Sequence, residues 1–147
     1  MCALGYVHSF RDLIVYQKTR ALTKRIFDIS KGFPGEERYS LTDQVRRSSR
    51  SVGAQIAEAW AKRRYEKHFV SKLTDADGEL QETHHWLLAA FDAGYLSDDQ
   101  LRSLCADLAE IGRMLGSMME KVDAFCGETR REVHETTAKY FTATDDG

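Results

Sequence analysis

Apolar residues recur every seven positions in several stretches of the chain, each time with a second row interleaved. In the first stretch Val15, Leu22 and Ile29 form one row, and Thr19, Ile26 and Phe33 the other. On a helix this spacing puts both rows along one face, which predicts a helix over about residues 10–32. Ser9, with Asp12 three residues on, suits its N-terminal cap. Gly32-Phe33-Pro34-Gly35 ends it, because proline disfavours helical backbone in the residue before it and glycine frees the turn.

A second helix is expected over about 40–62, starting near Ser40, with Leu41, Val45, Val52, Ile56 and Ala59 facing inward. Small residues populate its seam: Ser48, Ser49, Gly53, Ala54, Ala57, Ala59 and Ala61. Small side chains let helix backbones approach closely, so this helix is expected to be central. The third, about 65–93, carries Phe69, Ala76, Thr83 and Ala90 in one row and Leu73, Leu80 and Leu87 in the other. Gly78 in its middle costs roughly 1 kcal/mol against alanine, and close helix contact is the expected reason for it. Gly94 marks the end. The fourth, about 98–125, opens on the capping box Ser97-Asp98-Asp99-Gln100. Its rows are apolar throughout: Leu101, Leu108, Leu115 and Val122 beside Leu104, Ile111, Met118 and Phe125.

No glycine or proline lies between Ala54 and Asp77, so periodicity alone permits one long helix there. A turn near Lys62 to Glu66 is placed by topology: four amphipathic helices with short connections bury their faces best as an all-α, antiparallel, up-down-up-down four-helix bundle. The bundle is expected to occupy 1–126, ending at Gly127. The tail, 127–147, is expected to hold a short helix from Glu132 to Phe141 and then disorder from Thr142.

The 147 residues suit one domain with a hydrophobic core. No run of about 18 apolar residues could span a bilayer, and Met1 to Ser9 lacks a basic region followed by an apolar run, so a cytoplasmic protein is expected. Cys2, Cys105 and Cys126 form no C-x-x-C pair and suit inert thiols in a reducing compartment.

Charge changes the picture more. The net charge is −2, yet residues 38–72 hold nine lysines and arginines against three acids. That segment is +6 and the remainder −8. Arg46 and Arg50 share a helical stripe with Arg47 beside it, and Lys62, Arg63, Arg64 and Lys67 cluster at the second turn, near Trp60 and Tyr65. Such residues neutralise phosphates, and aromatics can stack bases. They could equally pair with carboxylates of neighbouring helices or subunits. These seven are the candidate nucleic-acid-binding residues.

Catalytic chemistry is poorly represented. Glu82 and His85 supply one E-x-x-H, but a di-metal bundle needs two copies and two further glutamates. Asp75, Asp77 and Glu79 read as a charge run on a helix, in which Asp75 and Glu79 share a solvated or interface face and Asp77 does not. No G-x-S-x-G or glycine-rich phosphate loop occurs. The expectation is a non-enzymatic protein without metal or cofactor, a metal-dependent bundle enzyme being the third choice behind a nucleic-acid adaptor and a protein-interaction module.

Four segments carry a family resemblance: Asp12-Leu13-Ile14-Val15-Tyr16-Gln17-Lys18, Phe33-Pro34 with Glu37-Arg38-Tyr39-Ser40-Leu41, Gln44-Val45-Arg46-Arg47-Ser48, and Ser51-Val52-Gly53-Ala54-Gln55-Ile56-Ala57-Glu58. In this order, over about Phe10 to Phe125, the chain resembles the bacterial four-helix-bundle proteins also called 23S ribosomal RNA intervening-sequence proteins. Accessory variability determinants of diversity-generating retroelements look like relatives. Where the family often has Asn-Ile-Ala-Glu-Gly, this chain has Gln55-Ile56-Ala57-Glu58-Ala59, followed by Trp60-Ala61-Lys62-Arg63. The resemblance implies a ring-shaped homopentamer with a central channel. Through the retroelement relatives it implies RNA binding and partnership with a reverse transcriptase through basic surfaces; DNA stands beside RNA as a candidate partner of the basic residues.

Overall fold

The computed structural model describes residues 7–127; the expectations for Cys2 and for the tail beyond Gly127 lie outside them. Four long helices make up most of the described chain: α1 (Ile14–Ser30), α2 (Asp43–Ala61), α3 (Glu66–Asp92) and α4 (Asp98–Glu120). No strand occurs among the described residues, and the class is all-α. No helix among them is long and apolar enough to cross a membrane.

The heptad rows face inward. All seven α3 row residues, from Phe69 to Ala90, are buried. So are Val15, Thr19, Leu22 and Ile26 of α1, Val45, Val52, Ile56 and Ala59 of α2, and Leu104, Leu108, Ile111, Leu115 and Met118 of α4. Burying one large aliphatic or aromatic side chain contributes about 1.5–3 kcal/mol, and the hydrophobic residues among these form one shared core.

Contacts between helices follow a consistent order. Ser30, at the end of α1, meets Arg46 near the start of α2, while Tyr16 and Thr19 lie against Gly53 further along α2. Ser48 Oγ is 2.9 Å from Thr83 Oγ1, and Glu58 is 2.9 Å from Lys72 Nζ, nearer the start of α3. Thr74 and His84 of α3 meet Met119 and Cys105 of α4. Finally α4 returns to α1 through Arg25–Asp107 at 2.6 Å and Lys18–Glu110 at 2.9 Å. At one end, Phe33 packs against Tyr95, whose hydroxyl donates to Glu37, so the first and third connections meet there.

The chain turns between α2 and α3 at 62–65. Several boundaries differ from the sequence expectation. Ser9 and Asp12 do form a capping box, but on a separate 3-10 turn, Phe10–Asp12. Leu13 then adopts an extended backbone (ψ 126°) and α1 begins at Ile14. On a continuous helix Leu13 would lie about 200° from Val15, facing solvent. The break returns it to the core, at 6% exposure, and leaves Ile14 at 61%. Helix α2 begins at Asp43, after a wide π-helical turn, Arg38–Thr42, that keeps both Leu41 and Thr42 buried. Lys121 (φ −99°, ψ 34°) interrupts the fourth helix, and helical backbone resumes over 122–127, with Gly127 within it.

The close approach expected at Gly78 is absent: a Cβ there would meet nothing within 4 Å. Ordinary contact with another helix occurs instead at Gly53, whose Cβ would sit 3.6 Å from Tyr16 and 3.7 Å from Thr19, and at Gly112, whose Cβ would sit 3.5 Å from Leu80. Ala54 and Ala61, expected in the tightly packed stripe, are exposed. Gly94 ends α3 at φ +83°, a conformation glycine adopts without steric cost.

Candidate nucleic-acid interface

The seven basic candidates fall into three environments. Arg46 and Arg50, one turn apart on α2, face α1. Their guanidinium groups lie 4.7 and 5.6 Å from the ring centre of Phe27, and Lys31 Nζ lies over the same ring at 4.7 Å. Arg46 Nε also donates to Ser30 Oγ at 2.8 Å, and Ser30 donates to the Phe27 carbonyl at 2.9 Å. Two i,i+4 pairs, Phe27/Lys31 and Arg46/Arg50, therefore face each other and gather three cations around one aromatic. Cations are attracted to such a ring face, which steadies long side chains without neutralising them.

Arg47 points elsewhere. It lines a groove of about 210 Å³ on the α3 side with Gln44, Ser48, Ser51, Glu79 and Glu82. Burial holds the Glu79 carboxyl above its usual range, and the neighbouring Glu82 and Asp75 add to the effect while Ser51 opposes it. Arg47 thus shares its groove with two acids, a poor setting for phosphate.

The third group sits at the far end of α2, about 18 Å along the helix from Arg50 at 1.5 Å per residue. Lys62, Arg64 and Lys67 are exposed. Arg63 is turned back onto its own helix end: its guanidinium stacks on Trp60 at 3.9 Å and donates to the Trp60 carbonyl at 2.9 Å. That arrangement covers one face of the indole. Tyr65, 60% exposed and packed against His68, remains the open aromatic of this end. Lys72 is committed to Glu58 and Asp75; its hydrogen bond to Glu58 raises the lysine and lowers the glutamate.

The ion pairs draw a clear line. Among the described residues, Lys18, Lys24, Arg25, Lys31, Lys72 and Arg102 lie within 4 Å of carboxylates. The ion pairs found between described residues involve none of the seven candidates. Lys31 is partly offset, 3.6 Å from Asp28, whose carboxyl is lowered chiefly by its hydrogen bond from Lys24.

Phe27 and Lys31 were missed from sequence. Each lies on α1, and only the α1–α2 register reveals that they meet Arg46 and Arg50. The E-x-x-H pair engages Trp86 instead: Glu82 accepts from the indole N–H at 3.4 Å, and His85 packs edgewise on the ring. Cys105 Sγ is 3.5 Å from His84 Nε2, and burial raises the thiol, as it does at Cys126. Among the described residues no three histidines, cysteines or acids gather as a metal site would require.

No curated protein matches the sequence. A crystal structure of a protein of unknown function from the S23 ribosomal protein family, from Bacteroides thetaiotaomicron VPI-5482, is similar in fold, with a TM-score of 0.67. It is 30% identical, and the match covers 73% of this chain and 96% of that one. The family model for 23S rRNA-intervening sequence proteins matches residues 11–117. That span runs from the 3-10 turn before α1 almost to the end of α4, so the chain belongs to the 23S rRNA-intervening sequence protein family.

Proposed function

We propose that this protein is a non-enzymatic scaffold, an antiparallel four-helix bundle assembling into a ring, that binds nucleic acid through its α2 face. The observation that carries this reading is the cation cluster on Phe27. Arg46 and Arg50 are held in place by a ring and a hydroxyl, with no carboxylate partner among the described residues, while most ion pairs there use other cations. Cations so placed neutralise phosphates on contact, and a ring of copies would multiply and focus the field. Lys62, Arg64, Lys67 and Tyr65 extend the surface at the other end of α2. A ring of five, and a reverse transcriptase as protein partner, come from the family resemblance alone.

Native mass spectrometry of protein purified without nuclease tests assembly and cargo together. A multimer carrying nucleic acid is the expected result. In gel shifts at low salt, Arg46→Glu with Arg50→Glu abolishes binding while Arg47→Glu has little effect. If the intact protein ignores RNA and DNA at low salt, and the double reversal instead breaks the multimer, the stripe is an intersubunit salt-bridge surface and the nucleic-acid reading fails.

A further inference from the structure

A groove of about 240 Å³ opens between α1 and α2, directly beside the cation cluster. It is lined by the small residues Gly53, Ala54 and Ala57, the aromatic Phe10 and Tyr16, and the basic Arg20 and Arg50. Phe10 and Tyr16 meet edge to face at 4.8 Å, which fixes their rings. Thr19 also lines the groove; it is 2% exposed, and its hydroxyl has no hydrogen-bond partner among the described residues. That oxygen is closed off by its surroundings, and the methyl group of Thr19 is the part turned toward Gly53. Arg50 is shared: it lies over Phe27 and also lines the groove.

We infer that this groove receives one unstacked base of a single-stranded nucleic acid whose phosphates run along Arg50, Arg46 and Lys31. The inference rests on the proposed nucleic-acid role and narrows it to single strands. The volume lies below the roughly 300–1,000 Å³ usual for small-molecule pockets, yet it admits one planar ring system. Aromatic rings and cations beside an open apolar surface are the means by which single strands are held. Arg46 and Arg50 rise about 6 Å apart along α2, spacing that follows a strand backbone. A duplex keeps its bases stacked and offers nothing to the groove.

The test is fluorescence anisotropy with the full chain and a labelled short oligouridylate, with oligothymidylate beside it to separate RNA from DNA. An abasic strand of equal length and an RNA duplex serve as comparisons. Ala54→Trp fills the groove from an exposed position, and circular dichroism checks its helix content. Expected is tighter binding of base-bearing than abasic strand, with Ala54→Trp weakening the base-bearing strand about tenfold and leaving the abasic strand and the duplex unchanged. Equal binding of abasic and base-bearing strands, or an Ala54→Trp protein that binds as before, overturns the base site and leaves the phosphate surface standing. If no strand binds at low salt, the proposed function falls with it. If Ala54→Trp dissociates the assembly, the groove is an interface between copies and the base site is wrong.

Discussion

Single side chains in this protein carry costs that local packing does not relieve. Thr19 is the sharpest case, because its methyl packs against the Gly53 side of α2 while its hydroxyl stays buried without a partner. Thr19→Val keeps the shape and removes the polar atom, so the isolated protein should gain about 1 kcal/mol of stability. Urea unfolding measures this, and a loss of stability would mean that the hydroxyl is satisfied. Glu79 presents a second cost, with its carboxyl raised first by burial and then by Glu82. A carboxyl raised in the folded state binds its proton more tightly there than when unfolded. Its ionisation therefore opposes folding: the cost is absent below the unfolded value and grows as pH rises through the folded one. Glu79→Gln should raise the melting temperature at neutral pH, and the gain should vanish on acidification below the carboxylate range. A pH-independent gain would point to packing instead of charge.

At the scale of elements, the heptad rows were readable because seven-residue spacing fixes a helical face without tertiary information. Phe69 to Ala90 went inward as a set for that reason. The extended Leu13 and the wide turn at Arg38–Thr42 were not readable, since neither has a residue signature. They exist to return Leu13, Leu41 and Thr42 to a core whose position the local sequence does not state. Gly78 was read wrongly for a related reason: a mid-helix glycine signals either close contact or open space, and only neighbouring helices decide. With nothing within 4 Å of its would-be Cβ, Gly78→Ala should stabilise α3 by about 1 kcal/mol through helix propensity alone, as read by the chemical denaturation midpoint. No gain would show that a partner outside this chain approaches that face. The candidate site divides in the same way. Arg46 and Arg50 on one stripe were legible from i,i+4 spacing, whereas Phe27, Lys31 and the acids beside Arg47 came from other helices.

For the whole molecule, the near-neutral total conceals a +6 segment against −8 elsewhere, and what matters is which of those charges face outward unpaired. Local ion pairs absorb Lys72, and Arg63 turns onto Trp60, so the useful charge is smaller than the count. Under the proposed nucleic-acid role, Arg46, Arg50 and Lys31, the last partly offset by Asp28, supply three phosphate contacts for each copy of the chain. Releasing counterions from single strands steepens the salt dependence by about 0.7 for each contact, so one subunit acting alone gives a log–log slope near about −2. Several subunits engaging one strand give a proportionally steeper slope, because every contact is repeated by symmetry. Arg50→Ala should then flatten the slope by about 0.7 for each engaged subunit, and Arg47→Ala should leave it unchanged, since Glu79 and Glu82 share its groove. Titrations of a labelled single strand over a range of salt concentrations read this directly. A slope insensitive to Arg50 would remove the Phe27 cluster from the binding surface, and the exposed Lys62, Arg64 and Lys67 at the opposite end of α2 would then have to supply whatever affinity is found.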